Sequence, residues 1–205
     1  MNIPKVLILR LALATLAGMP LIAILVDRFS EEVDLATIIV GYQPLYIQLG
    51  VGAALGLAAG FSARWLIGRP FMKPVSTKYA NLLGQFQLTW SEVLFVSFCA
   101  GVGEEILFRG AIQPFLGIVL TAIVFVAIHG YLNPRDLKMS IYGLLMTVFI
   151  GLIGFAADWA GLISAMMAHT IIDVILLQNL QQTANDMPEE SRTPGLLQGN
   201  DEDEI

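Results

Sequence analysis

Residues 93–113 read VLFVSFCAGVGEEILFRGAIQ, an apolar run interrupted by Glu104, Glu105 and Arg109. Its length matches the roughly 20 residues a helix needs to cross the hydrocarbon core of a bilayer. An ionised side chain at the bilayer centre costs about 2.5–3.5 kcal/mol on the insertion scale, so such groups persist where they are paired or do chemistry. The stretch therefore predicts a membrane helix that carries a polar site.

The rest of the chain agrees with that solvent. Of 205 residues, 56% are hydrophobic and 14% charged, and the mean hydropathy is +0.72. This excludes an ordinary soluble domain and predicts an all-α, polytopic transmembrane bundle of about six spans plus one interfacial helix. Cys99 is the single cysteine, which excludes an intramolecular disulfide and a zinc ribbon.

Four regions follow from composition. Residues 1–68 form an N-terminal two-span region: an apolar helix after Lys5 and Arg10 that reaches Val26 and is retained, then a second span over 45–66 opened by Pro44. In the second span Gly52, Gly56 and Gly60 recur every fourth residue, a smooth face that suits helix packing inside the bundle or a homodimer. Residues 69–92 form a basic loop and an interfacial helix, with Pro70, Lys73, Pro74 and Lys78 ahead of Tyr79, Leu82, Leu83, Phe86 and Trp90 at helical spacing. Residues 93–181 hold spans at 93–113, 115–131, 139–157 and 160–180, with a bend expected at Pro114 and a turn at Asn133-Pro134. Residues 182–205 form a polar tail, acidic through Glu189, Glu190, Asp201, Glu202, Asp203 and Glu204 and read as disordered.

Cations near span ends are held on the cytoplasmic side. With six spans and the N-terminus inside, Lys5, Arg10, Arg64, Arg69, Lys73, Lys78, Arg135, Lys138 and Arg192 fall inside. The loop with Glu31, Glu32 and Asp34 then falls outside beside Arg28, and both termini are cytoplasmic.

Spacing assigns the buried polar groups. Glu104 and Glu105 leave a helix about 100° apart, so they serve different roles. Glu105 and Arg109 are four residues apart, an ion-pair spacing, which leaves Glu104 for chemistry. His169 and Asp173 share that separation on the last span, so Asp173 is placed to accept from the His169 ring. His129 arrives on another helix. In a low-dielectric site Glu104 could take a proton from water, His129 hold that water and His169 donate to an oxyanion. The same set could grip a metal, or serve as a buried ion network.

These residues also sit in three motifs. Glu104-Glu105-Ile106-Leu107-Phe108-Arg109, then Phe125-Val126-Ala127-Ile128-His129, then His169-Thr170-Ile171-Ile172-Asp173 follow in order, each in an apolar helix. Over about 90–180 the chain resembles the CAAX-prenyl-protease-type intramembrane endopeptidases and their bacteriocin-processing relatives, the CPBP or Abi family. The resemblance implies a helical bundle whose cavity holds Glu104 and His129 as water activators, with His169 and Asp173 stabilising the oxyanion and Glu105, Arg109 and Phe125 supporting them. It leaves two mechanisms open: a glutamate mechanism without metal, and one using a divalent metal such as zinc on Glu104, His129, His169 and Asp173. Asp173 stands where Asn is common in the prenyl-protease branch; it orients His169 and keeps it protonated, or ligates a metal.

The resulting expectation is an intramembrane endopeptidase acting on a peptide or membrane-protein substrate in or near the bilayer, with no nucleic-acid partner. The rival is a non-catalytic membrane assembly or bacteriocin-immunity protein that keeps the polar network to fix helix register. A transporter would show paired repeats between halves, and the first two spans carry no buried charge to match the second half.

Overall fold

A computed structural model describes residues 5–30, 34–84 and 86–187. Among them every regular element is helical: α1 (Lys5–Phe29), α2 (Leu35–Val40), α3 (Leu45–Ile67), α4 (Lys73–Gly84), α5 (Trp90–Glu105), α6 (Gln113–Ile128), α7 (Leu137–Ala160) and α8 (Leu162–Asn185). A 3₁₀ turn, Pro70–Met72, leads into α4, and a π-helical segment, Ile106–Ile112, joins α5 to α6. The bundle fits the all-α class expected. The acidic tail from 188 onward, Glu31, Glu32 and Arg192 lie outside the described residues.

Short polar signals set the helix ends. Thr89 and Glu92 form a reciprocal cap on α5: the Glu92 carboxylate accepts the Thr89 N–H at 2.7 Å and the Thr89 hydroxyl accepts the Glu92 N–H at 3.4 Å. Lys5 donates to the same carboxylate at 2.8 Å, tying the start of α1 to the start of α5. Asp34 and Asp136 cap α2 and α7. The Thr37 hydroxyl, then its N–H, holds the Asp34 carboxyl below the usual carboxylate range.

Five helical runs are long and apolar enough to cross a membrane: α1, α3, the 39-residue run Trp90–Ile128, α7 and α8. The chain is an integral membrane protein. Five replace the expected six because the stretches read as separate spans at 93–113 and 115–131 are one helical run folded back on itself. The fold comes at Gly117, whose φ of 70° and ψ of 169° leave the helical region. An L side chain pays for that φ and glycine does not. Pro114, where the bend was expected, lies three residues ahead of it, directly after the π-helical segment. Beyond Gly117 the chain runs antiparallel to its own first limb: Phe125 meets Phe108 with ring centroids 4.9 Å apart, and His129 lies 3.5 Å from Glu104. The return limb, 118–128, is about 16 Å long at about 1.5 Å per residue. That is roughly half the hydrocarbon thickness, so the limb is too short to cross it.

α8 is the central post, packed by α3, α4, α5 and α7. Close approach of α3 depends on the glycine face. A Cβ on Gly52 would collide with the Ser164 carbonyl, one on Gly56 would lie 2.7 Å from the Ala168 carbonyl, and one on Gly60 would lie 2.6 Å from Ile175 Cδ1. Without a hydrophobic drive between helices in lipid, such contact supplies the van der Waals energy of association. The face on which a homodimer contact was considered, Gly52, Gly56 and Gly60, is thus filled by α8 of the same chain.

The expected interfacial helix is shorter than its periodicity suggested. It ends at Gly84; Phe86 turns inward with Leu88 and Val93, and Trp90 already belongs to α5. α4 lies across one end of the bundle, its Ala80 packed on Leu180 and Ala184. Ala184 shows that α8 continues past residue 181, into the segment read as tail.

Candidate active site

The π-helical segment is where the site begins. Its backbone closes one residue late, with the Gln113 N–H donating to the Phe108 carbonyl, and such insertions concentrate at functional positions. It carries Arg109 inward. The guanidinium is 2% exposed, donates from Nη1 to Glu105 Oε1 at 2.9 Å and from Nη2 to the Ile150 carbonyl at 3.4 Å, and lies 4.7 Å above the Phe125 ring.

Glu105 is fully buried and does more than pair with Arg109. The same Oε1 accepts from His169 Nδ1 at 2.7 Å, so one carboxylate joins the π segment to α8. This corrects the expected role of Asp173 as the hydrogen-bond acceptor of His169. Asp173 Oδ2 is 3.6 Å from His169 Nε2, beyond hydrogen-bond length, and acts on the ring as a charge. Helix geometry gave His169 and Asp173 a common face; it could not show that a carboxylate 64 residues away in sequence comes nearer.

Glu104 points elsewhere, as the 100° step between neighbours requires. Its Oε2 is buried, has no hydrogen-bond partner among the described residues, and lies 3.5 Å from His129 Nε2. His129 in turn puts Nδ1 2.7 Å from the Phe125 carbonyl. A carbonyl only accepts, so Nδ1 carries hydrogen and the Nε2 of a neutral ring faces the carboxylate with a lone pair. Two acceptors facing each other need a proton or a protic molecule between them. His129 is held in that pose between the Phe125 ring, 4.5 Å away, and the Tyr131 ring, 5.8 Å away and inclined to it by 29°.

All six ionisable residues expected at the site, with Phe125, therefore converge, from α5, the π segment, α6 and α8. The tyrosines were not foreseen. Tyr131 stacks on His129, and its ring also meets Tyr142 of α7 at 5.1 Å and Tyr79 of α4 at 6.5 Å. Burial pushes the Tyr79 and Tyr131 phenols up, so both stay hydrogen-bond donors. Two sequence signals could have pointed to Tyr131: it lies two residues beyond His129, and a glycine, Gly130, stands between them.

Among the described residues no three His, Cys, Asp or Glu side chains are grouped so as to hold a metal ion. Glu104 and His129 form one pair; His169 is already engaged by Glu105 and approached by Asp173. The four donors considered for zinc stand as two pairs in this arrangement, Glu104 with His129 and His169 with Asp173.

Comparison with known proteins falls on the same segment. Residues 86–175 match the family model of type II CAAX prenyl endopeptidase Rce1-like proteins. Over that segment the chain is similar to that family. The match includes every residue just described from Glu104 to Asp173. The chain is also 31% identical over 84 residues to the protein YpbD of Bacillus subtilis (strain 168), covering 40% of this chain and 42% of that protein. It thus spans less than half the length of that relative. No solved structure matches the chain.

Proposed function

We propose that the protein is an intramembrane endopeptidase of the Rce1-like type, with Glu104 as the general base. The observation that carries this is the pair formed by Glu104 Oε2, buried and without a hydrogen-bond partner, and His129 Nε2 at 3.5 Å. Water between them gives one proton to the carboxylate as its oxygen bonds to the scissile carbonyl carbon. His129, fixed by the Phe125 carbonyl, orients that water. The oxyanion that forms is met by His169, whose ring faces carboxylates at both nitrogens and so suits the doubly protonated form, a donor at each. Arg109 and Glu105 lock His169 in place. When the tetrahedral carbon collapses, the C–N bond breaks and Glu104 passes its proton to the leaving amine.

Peptide or membrane-protein segments are the substrates in this reading. The orientation proposed is both termini in the cytoplasm. It is supported by the end of the bundle at which α1 starts, α3 ends, α4 lies and α7 starts: it carries Lys5, Arg64, Arg69, Lys73, Lys78 and Lys138.

The test is cleavage of a set of membrane peptides by detergent-purified protein, wild type beside Glu104→Gln, with the thermal stability of both recorded. Cleavage by wild type and its loss in a stable Glu104→Gln protein is the expected result. Equal cleavage by the two would remove Glu104 from catalysis, and no cleavage by either, with biological function intact in Glu104→Gln, would favour the non-catalytic assembly protein.

A further inference from the structure

Beside the site, at the cation-bearing end, lies a cavity of about 190 Å³ bounded by α4, α5, α7 and α8. Aliphatic side chains such as Val75 and Leu176, the rings of Tyr79, Tyr131 and Tyr142, and one charged group, Asp173, line it. Two of these also touch the reacting groups: Asp173 is 3.6 Å from His169 Nε2, and Tyr131 stacks on His129. Whatever fills the cavity lies within one side chain of the scissile bond.

Its size and chemistry narrow the occupant. An apolar cavity of about 150 Å³ takes up benzene, whereas pockets for drug-sized ligands run from roughly 300 to 1,000 Å³. A volume of about 190 Å³ suits one branched aliphatic or aromatic side chain. A peptide also makes use of what an alkyl chain would leave unpaired: its backbone can bond to polar groups of the lining such as Asp173.

We propose that this cavity is the subsite for a single large apolar side chain of the substrate next to the scissile bond. The proposal rests on the endopeptidase reading, and its test is chosen to separate the two. Peptides carrying photo-leucine at each position in turn are cross-linked to full-length Glu104→Gln protein in detergent, and the adducts mapped by mass spectrometry. One position should label Tyr131 and Leu176. Leu176→Trp and Val75→Phe, which fill the space from different helices, should each lower that label about tenfold.

In the active protein the same position should favour Leu or Phe over Ala by at least about tenfold in kcat/KM, the order a few methylenes supply. The filled variants should reverse that preference while cleaving the Ala peptide as wild type does. Labelling in the cavity by a protein that cleaves nothing would leave the subsite standing and overturn the endopeptidase reading. Cleavage without side-chain preference, with adducts elsewhere, would overturn the subsite alone. So would a photoreactive fatty acid that labels the cavity and is not displaced by peptide.

Discussion

Glu104 and Glu105 are adjacent and identical in chemistry, yet the same substitution should do opposite things to them. Glu105 is 0% exposed and holds Arg109 at 2.9 Å and His169 at 2.7 Å through one oxygen. Glu105→Gln keeps the shape but removes the charge, leaving a buried guanidinium without its counter-ion. Breaking a buried pair in this way costs about 3–5 kcal/mol, and the energy of the pair cannot be recovered by rotating Arg109, since its other contacts are the Ile150 carbonyl and the Phe125 face. The buried Glu104 Oε2 has no hydrogen-bond partner among the described residues for Gln to lose. Glu104→Gln should therefore change stability by less than about 1 kcal/mol while lowering the cleavage rate by at least about 10²-fold, the lower range for a positioned acid or base. Unfolding by sodium dodecyl sulfate titration, with helicity as the signal, reads stability; cleavage of one peptide reads rate. A Glu105→Gln protein as stable as wild type would refute the assignment of Glu105 as the keystone of the ion network. A Glu104→Gln protein that is strongly destabilised would refute the separation of the two roles.

Further outcomes follow from single contacts. Gly56→Leu should abolish folding, because even a Cβ there lies 2.7 Å from the Ala168 carbonyl; recovery of folded protein in detergent would show that α3 can slide on α8. Gly117→Ala should cost about 1–3 kcal/mol, all of it from backbone conformation, since nothing lies within 4 Å of its Cβ; the same detergent titration checks it, and no change would mean that the reversal does not need a positive φ. Gly143→Ala places a methyl group against the Tyr131 carbonyl, and should lower kcat by moving Tyr131 off His129, with a mutant at wild-type kcat counting against the stacking. Chelation should leave the cleavage rate unchanged, because the carboxylates and imidazoles form two pairs rather than one ligand set; a rate lost to a chelator and restored by zinc would reverse that expectation.

Hydropathy and spacing were enough to read most of the helices, because both depend on neighbours along the chain. Glu104, Glu105 and Arg109 share a helical stretch, and His169 and Asp173 share a face, so the local pairings were open to reading. Partners across helices were not. The Glu105 to His169 bond depends on how α5 and α8 pack, and no periodicity encodes it. Tyr131 escaped for a similar reason: a lone aromatic after a histidine acquires meaning only when Tyr79 and Tyr142 close around it. The glycine ridge of α3 was legible as a packing face, but its partner, α8, lies more than a hundred residues later.

The least legible feature is also the one on which the site depends. Read as two full spans, 93–113 and 115–131 put His129 far below Glu104 in depth. Reversal at Gly117 lets the return limb stop partway, at the level of Glu104. That arrangement leaves the segment 129–136 non-helical, with Gly130, Asn133, Pro134 and Arg135 exposed, and unpaired backbone groups are costly wherever such a segment meets a membrane. The sequence meets that cost locally. The Gly130 and Tyr131 N–H groups return to the Ala127 and Val126 carbonyls, the Asp136 N–H to the Asn133 carbonyl, the Arg135 N–H to the Asn133 side chain, and Ser140 bonds both the N–H and the carbonyl of Asn133. Asn133, which the sequence presented only as a turn signal, is thus the residue that lets a non-helical segment hold Tyr131 against His129. Asn133→Ala should accordingly loosen this loop, raising hydrogen exchange at Arg135 and lowering kcat, while leaving the spanning helices intact. Unchanged exchange with full activity would mean that the stacking, and not the loop, fixes His129.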